Sequence, residues 1–200
     1  MTKRSVRPAT SSDAAVIAAM AQEFFTEVFN ACALPAAHSL RAQVLTQTRQ
    51  MWQETLAGNR AMQGQTLVAL EEQTPVGFIA YSHAPALELE QPSGRVIPAG
   101  QDISSLYVHR SFRRIGHASR LLAALVDTLH PESMRLWVAP DDTLTIRFIQ
   151  GCGFSPAGVR RSFVFDPEIP AARDEHLWWA LRSQRGHIRP LKARRGTLIA

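Results

Sequence analysis

Hydrophobic positions recur along this chain at two spacings, and these spacings divide it into predicted helices and strands. Apolar residues at intervals of three and four mark one face of a helix, whereas short apolar runs mark buried strands. The helical spacing occupies three segments, Val16 to Val28, Leu40 to Thr55, and Leu121 to Leu129. A fourth helix is expected to begin near Thr143. Ser11 or Ser12 is the candidate N-cap of the first helix, and Gly58-Asn59 is the expected stop of the second.

Strand-like runs alternate with these helices. They cover Val6 to Pro8, Thr66 to Leu70, Val76 to Tyr81, Ile103 to Val108, Leu136 to Val138, Val159 to Phe165 and His176 to Leu181. The second and third are expected to form an antiparallel hairpin with a longer turn over residues 71–75. The helix between the strands at 103–108 and 136–138 makes a βαβ unit, which favours parallel pairing. Residues 84–101 contain three prolines and two glycines, which indicates either a functional loop with an added edge strand or a tolerated insertion.

Length and composition favour one domain over residues 1–181. A chain of 200 residues with 46% hydrophobic content can bury one substantial core. No apolar run reaches the roughly 18 residues that a membrane span needs, and the first residues do not resemble a signal segment, so a cytoplasmic protein is expected. Two cysteines, Cys32 and Cys152, are too few for a disulfide framework. No metal is expected, because the histidines and cysteines lack ligand spacing; His109, His117 and His130 are interpreted as surface residues.

Residues 182–200 differ in composition from the rest. They contain six basic residues and no acid, so the formal net charge of +5 falls to −1 without them. A flexible, solubilising tail is the favoured interpretation. Binding of nucleic acid or a ribosome through this charge is the alternative, although no aromatic or RNA-binding module accompanies it.

The segment from Arg113 to Ala118 carries the clearest chemistry. It joins the strand ending at Val108 to the helix carrying Leu121, and the first turn of a helix has unpaired N–H groups and about half a positive charge. Such a turn binds phosphate. Gly116 lets the backbone approach a ligand closely, and the two arginines, Arg113 and Arg114, add positive charge.

The order R-R-I-G-H-A in this segment resembles the R/Q-x-x-G-x-G/A signature of GNAT-type N-acetyltransferases. A second motif follows downstream, where Asp142, Thr145, Phe148, Ile149, Gly153 and Phe154 resemble the family's N-x-x-A-x-x-F-Y-x-x-x-G-F. The resemblance covers about residues 5–181. It implies an α/β (α+β) fold in which about four helices flank a mixed, mostly antiparallel sheet of six to seven strands.

The resemblance also implies an activity, transfer of acetyl from acetyl-CoA to a primary amine by direct attack in a ternary complex. The acceptor would be a small molecule or a protein or peptide. The residues that it assigns to cofactor binding are Leu106, Tyr107, Val108, Arg113, Arg114, Ile115, Gly116, His117, Ala118, Asp142 and Phe148, with Leu106 and Val108 acting through their main chain. Asp102 is the candidate general base, and strand alternation predicts it on the face of Ser104, Leu106 and Val108. A turn aspartate is the competing interpretation of Asp102.

Departures from the family pattern leave parts of the mechanism open. Ile149 replaces the tyrosine proposed to protonate the departing thiolate, so no leaving-group acid is identified. This loss motivates the alternative of a catalytically silent acyl-CoA-binding module, and the acyl chain could be longer than acetyl. Asp142 replaces asparagine but can still cap a helix. Candidate walls of the acceptor site are Glu23, Glu27, Trp178 and Trp179. A homodimer is the default expectation for an oligomer.

Overall fold

The computed structural model describes residues 3–57, 64–89, 95–166, 171–182 and 188–189. Its helices are α1 (Ala14–Ala31), α2 (Ser39–Leu56), α3 (His117–Leu129) and α4 (Thr143–Gly151). Its strands are β1 (Arg4–Pro8), β2 (Gly64–Glu71), β3 (Thr74–Ala84), β4 (Leu87–Glu88), β5 (Val96–Ile97), β6 (Gly100–Val108), β7 (Ser133–Val138), β8 (Ser155–Asp166), β9 (Ala171–Arg182) and β10 (Ile188–Arg189). Every predicted helix and strand is present. No described helix is long and apolar enough to cross a membrane.

Eight strands form one mixed sheet in the order β1-β2-β3-β6-β7-β9-β10, with β8 also paired to β9. Among the described strands of this sheet, only β6 and β7 run parallel, as the predicted βαβ unit requires, and the other neighbours are antiparallel. The mostly antiparallel sheet and the four helices are confirmed. The expected six to seven strands are confirmed by the seven longer strands of this sheet, to which the two-residue β10 is added. Because β10 lies within residues 182–200 and most of that segment is outside the described residues, the basic tail stays a prediction.

The two faces of the sheet bury different hydrophobic clusters. On one face, which we call the α3 face, the leucines of α3 pack with Ile79, Ile103 and Leu136 in the main core. On the opposite face, which we call the α1 face, α1 and Trp52 of α2 cover Phe78 and Tyr107. The amphipathic spacing that predicts these helices therefore follows from each helix covering one face of the sheet.

The sequence leaves two alternatives open for residues 84–101, a functional loop with an added edge strand or a tolerated insertion. Leu87 and Glu88 pair with Ile97 and Val96 in a separate two-stranded sheet, so the described residues of this segment add no edge strand to the main sheet. Leu89 and Ile97 are buried against β9 in a third cluster on the α1 face. Residues 90–94 lie outside the described part of the chain.

Smaller corrections concern element ends. The hairpin turn between β2 and β3 is tight, because Glu71 pairs with Thr74 and Glu72 takes a left-handed φ of 57°. The capping interactions before α1 come from Thr10, whose N–H and hydroxyl both donate to the Asp13 carboxylate at 2.7 and 2.9 Å, and not from Ser11 or Ser12. The expected stop at Gly58-Asn59 lies outside the described residues.

An ion pair joins β1 to the start of α1. Arg7 donates two hydrogen bonds, of 2.6 and 2.9 Å, to Asp13, whose side chain is only 4% exposed. The hydrogen bond from Arg7 is the main cause that lowers the pKa of Asp13 to about 2. Because the folded pKa is below the unfolded value of about 3.9, this pair stabilises the fold above pH 4, and its contribution disappears as the pH falls toward 2.

Replacing this carboxylate tests the contribution of the pair. Asp13→Asn is expected to lower the free energy of unfolding by about 1–2 kcal/mol at pH 7, after allowance for the solvent-exposed arginine. The difference from the parent protein should shrink between about pH 4 and pH 2. Urea unfolding at several pH values measures this, with the exposed Asp141→Asn as control. A difference that is the same at pH 3 and pH 7 would contradict the assignment.

Candidate cofactor and acceptor site

The loop between β6 and α3 turns twice through the left-handed region. Arg114 has a φ of 64° and Gly116 a φ of 94°. The helix then begins at His117, and no side chain in the described residues caps it. The first N–H groups of α3 are therefore available to an anion, as the sequence predicts. Arg114 and Ile115 are exposed, and Ala118 packs against the main core.

Gly116 is required by its backbone conformation. A side chain on any other residue is strained at a φ of 94°, and a Cβ built here would lie 2.7 Å from Nη1 of Arg120. The nearest atom is the end of a flexible side chain, so conformation is the stronger constraint.

The side chain of Arg113 is bound to the protein. Its Nε donates to the carbonyl of Val108 at 2.9 Å, and its Nη2 contacts both carboxylate oxygens of Glu27 at 2.8 and 2.9 Å. The guanidinium also lies over the ring of Tyr107, 5.3 Å from its centroid. Arg113 thus fastens the loop to β6 and α1, and its predicted contact with the cofactor is reduced to its main chain.

Two other arginines, which the sequence did not single out, lie at the loop. Nη1 of Arg4 donates to the carbonyl of Ile115 at 3.1 Å, and Nη1 of Arg120 lies 3.5 Å from the same oxygen. Arg120 is one turn along α3 from Gly116, so helical spacing from the motif is the signal that could have identified it. These contacts place two more positive charges beside the open N–H groups.

The interpretation of His117 as a surface residue is wrong. It is 1% exposed, and its Nε2 lies 2.8 Å from Oε2 of Glu71. Glu71 also accepts from Nε of Arg4 at 2.9 Å, and the hydrogen bond from Arg4, with a smaller one from His117, lowers the pKa of Glu71. His117 points inward because it occupies the core side of the first turn of α3. Any contact with a cofactor is through its backbone.

Strands β6 and β7 separate just below this loop. They pair only from Gln101 to Ile103, and residues 104–108 have no strand partner on that edge. The β6 edge therefore presents main-chain donors and acceptors beside the start of α3. This is where Leu106 and Val108 are predicted to act through their main chain.

A β-bulge changes the predicted side of Asp102. Ala80 pairs with Ser105 but Tyr81 pairs with Ile103, so Ser104 is an extra residue in β6. The extra residue reverses the alternation, since Ile103, Leu106 and Val108 all contribute to the main core on the α3 face. Asp102 is consequently on the opposite, α1 face, and the prediction that it shares a face with Leu106 and Val108 is wrong.

Asp102 is partly buried and poorly paired. Its Oδ1 is inaccessible and has no hydrogen-bond partner within the described residues. Burial raises the pKa of Asp102, and the charges of Arg135 and Arg161 oppose that rise. A carboxyl with a raised pKa beside the strand opening has the properties of a general base, and its position within β6 argues against the turn interpretation.

The hydroxyl of Tyr107 forms a second polar group on the α1 face. It donates to Oε2 of Glu23 at 3.1 Å, and Glu27 is 3.5 Å away. Burial, with the negative charge of Glu27, raises the pKa of Tyr107 to about 12. Tyr107 therefore stays protonated at neutral pH and is not a base. Its side chain faces α1, so its predicted cofactor contact also reduces to the main chain.

The two tryptophans of β9 lie on opposite faces. Trp179 belongs to the third cluster on the α1 face, whereas Trp178 belongs to the main core on the α3 face. Adjacent strand residues alternate, so only one of them could line a groove on the α1 face. The prediction of Trp178 as an acceptor wall is wrong. Trp179, Glu23 and Glu27 remain candidates.

The second motif forms α4. Oδ1 of Asp142 accepts from the N–H of Thr145 at 3.0 Å, so the predicted cap is present. Phe148 packs against the main core, and Ile149 is fully buried. Neither Asp142 nor Phe148 has a contact that decides its predicted role toward the cofactor.

Two further observations concern metal ligands and cavities. The described residues contain no group of histidines, cysteines or acids that could hold a metal ion. A cavity of about 320 Å³ lies at the other edge of the sheet, between β1, the end of α2 and α3, and none of the predicted site residues lines it. The candidate site is the unpaired edge of β6 together with the uncapped start of α3.

Several solved structures share this fold. A histone acetyltransferase HPA2 and related acetyltransferase from Corynebacterium glutamicum is 18% identical with a TM-score of 0.61, and the match covers 98% of this chain and 100% of that one. The PaiA N-acetyltransferase of Thermoplasma acidophilum, in complex with coenzyme A, is 12% identical with a TM-score of 0.58, over 88% of this chain and 98% of that one. Naa50 of Arabidopsis thaliana, in complex with the bisubstrate analogue CoA-Ac-MVNAL, is 16% identical with a TM-score of 0.51, over 88% and 97%.

The sequence matches one family profile. The profile of the Acetyltransferase (GNAT) family covers residues 21–154, which is more than half of the chain. No functionally curated protein matches the sequence. The profile match and the shared fold establish that the chain belongs to the GNAT acetyltransferase family.

Proposed function

We propose that this protein is an N-acetyltransferase that transfers the acetyl group of acetyl-CoA to a primary amine in a ternary complex. The single observation that carries the proposal is the uncapped start of α3 after Gly116, beside the unpaired edge of β6. Helix N–H groups suit a pyrophosphate, and an open strand edge suits the amide-containing arm of coenzyme A. PaiA and Naa50, which share the fold, are described with coenzyme A and a coenzyme A analogue.

In the proposed reaction, the acceptor approaches from the α1 face and the cofactor from the strand opening. The neutral amine nitrogen attacks the thioester carbonyl carbon, the carbon–sulfur bond breaks, and coenzyme A leaves as thiolate. Asp102 takes the proton from the amine, directly or through water. Backbone N–H groups of the unpaired β6 segment stabilise the developing oxyanion. Coenzyme A thiolate is a fair leaving group, so the buried Ile149 is compatible with turnover.

The alternative is a silent acyl-CoA-binding module. The absence of a proton donor at Ile149 favours it. Release of coenzyme A from acetyl-CoA with any amine excludes the module, whereas tight cofactor binding without release from a broad amine panel excludes the enzyme.

Gly116→Val tests the cofactor site. The left-handed φ makes a branched residue strained by about 1–3 kcal/mol, and its side chain would occupy the approach to the α3 N–H groups. We expect affinity for coenzyme A to fall by at least about tenfold, measured by calorimetry. Gly151→Val is the matched control, because nothing lies within 4 Å of a Cβ at Gly151. Unchanged affinity in a variant with a normal melting curve would refute the cofactor site.

Asp102→Asn tests the base. We expect kcat to fall by about 10²–10⁴-fold while affinity for coenzyme A is retained. The parent enzyme should gain activity as the pH rises through the raised pKa of Asp102, because the base acts as carboxylate, and the variant should lose that dependence. The exposed Asp127→Asn serves as control. A variant that keeps both the rate and the pH profile would remove Asp102 from the mechanism.

A further inference from the structure

A row of residues crosses the α1 face of the sheet at the level of Asp102. In register, Ser82 of β3 pairs with Asp102, Asp102 with Arg135 of β7, and Arg135 with Trp179 of β9. Residues paired across neighbouring strands project to the same face. The row therefore places a carboxylate, a guanidinium and an indole N–H side by side at the base of the strand opening.

Three buried polar atoms in this row lack a partner. They are Oδ1 of Asp102, Nη1 of Arg135 and Nε1 of Trp179, none of which has a hydrogen bond within the described residues. Asp102 and Arg135 influence each other electrostatically, yet no ion pair joins them in that part of the chain. Buried polar atoms without partners cost folding free energy, so three in one row indicate a place that a polar ligand completes.

The surrounding charge is predominantly positive. Arg161 lies over the ring of Trp137, 4.3 Å from its centroid, and Arg95 lies over Trp179 at 4.7 Å. Glu175 accepts from both Arg161 and Arg173, so one carboxylate is shared by two guanidinium groups. With Asp102 and Arg135, these residues amount to two carboxylates and four arginines, and Glu23, Glu27 and Arg113 on the same face add two carboxylates and one arginine. A ligand that brings a negative charge is favoured there, whereas a polyamine is not.

We infer that the acceptor is an amine that carries a carboxylate, an amino acid or a close analogue, with its nitrogen at Asp102 and its carboxylate at Arg135. This inference rests on the proposed function. Neighbouring strands are about 4.8 Å apart, so one small ligand can contact the side chains of two residues paired across them. Asp102 accepts the amine hydrogens and later its proton, and the guanidinium binds the carboxylate.

Matched acceptors test this inference on the unaltered enzyme. Release of coenzyme A is measured with the common amino acids, with their carboxamides, with polyamines and with short peptides. At least one amino acid should be acetylated with a kcat/KM about 10- to 100-fold above that of its own carboxamide, because the amide lacks the charge that Arg135 binds. Equal kcat/KM for acid and amide, or turnover of polyamines or peptides alone, would overturn the acceptor class while leaving the proposed function intact. No release with any acceptor, despite cofactor binding, would overturn both.

Variants of Arg135 separate recognition from a structural role. Arg135→Gln should lower the ratio of kcat/KM for the amino acid to kcat/KM for its carboxamide about 10- to 100-fold, so the preference for the acid is lost. The loss of the Arg135 charge beside Asp102 raises the pKa of the base further and affects both acceptors equally, so it does not change this ratio. Arg135→Lys should restore part of the preference. Arg160→Gln is the matched control, since Arg160 is exposed on the other face of β8. Melting curves and coenzyme A affinity confirm that the variants fold. An unchanged acid-to-amide ratio in folded Arg135→Gln would refute the inference, because a merely structural arginine would affect both acceptors equally.

Discussion

The extra residue at Ser104 is the feature on which the arrangement of the site depends. It reverses the side-chain alternation of β6, so Leu106 and Val108 pack into the main core while Asp102 is on the α1 face. It also coincides with the end of pairing between β6 and β7. Without the bulge, Asp102 would be buried beneath α3, on the side of the main core. One inserted residue thus opens the sheet and directs the candidate base toward the α1 face.

The loop that follows is held by side chains that are bound to other parts of the fold and do not cap its N–H groups. Arg113 is bound to Glu27 and Val108, His117 to Glu71, and Arg4 to Glu71 and Ile115. These contacts flank the two residues with left-handed backbone conformations, Arg114 and Gly116, and hold the loop in place on either side of them. Because the side chains are used for support, the backbone donors at the start of α3 remain free. The loop is preorganised for an anion.

Elements and main-chain features could be predicted from the sequence, and side-chain partners could not. The period of three to four residues located three of the four helices, the capping residue Asp142 located the fourth, and the glycine spacing located the uncapped helix start, because all of these depend on local backbone geometry. The side of Asp102 could not be predicted, since a single-residue bulge leaves no mark in the apolar pattern of β6. The burial of His117 depends on Glu71, which is distant in sequence. The hairpin of residues 84–101 depends on the apolar surface of β9, which local patterning does not contain.

The two substrates are proposed to be recognised by different chemistry. This difference explains why a sequence motif identifies the cofactor site but not the acceptor site. Pyrophosphate is bound by backbone N–H groups, whose placement needs only a glycine and a helix start at fixed spacing. In the proposal, the acceptor is bound by side chains from three strands, β6, β7 and β9, which the register brings together. Arg135 and Trp179 are 33 and 77 positions from Asp102 in sequence. In the sheet, however, Arg135 is paired with Asp102 on one side and with Trp179 on the other. Nothing in the cofactor motif specifies these two residues, so under the proposal the specificity for the acceptor is encoded outside that motif.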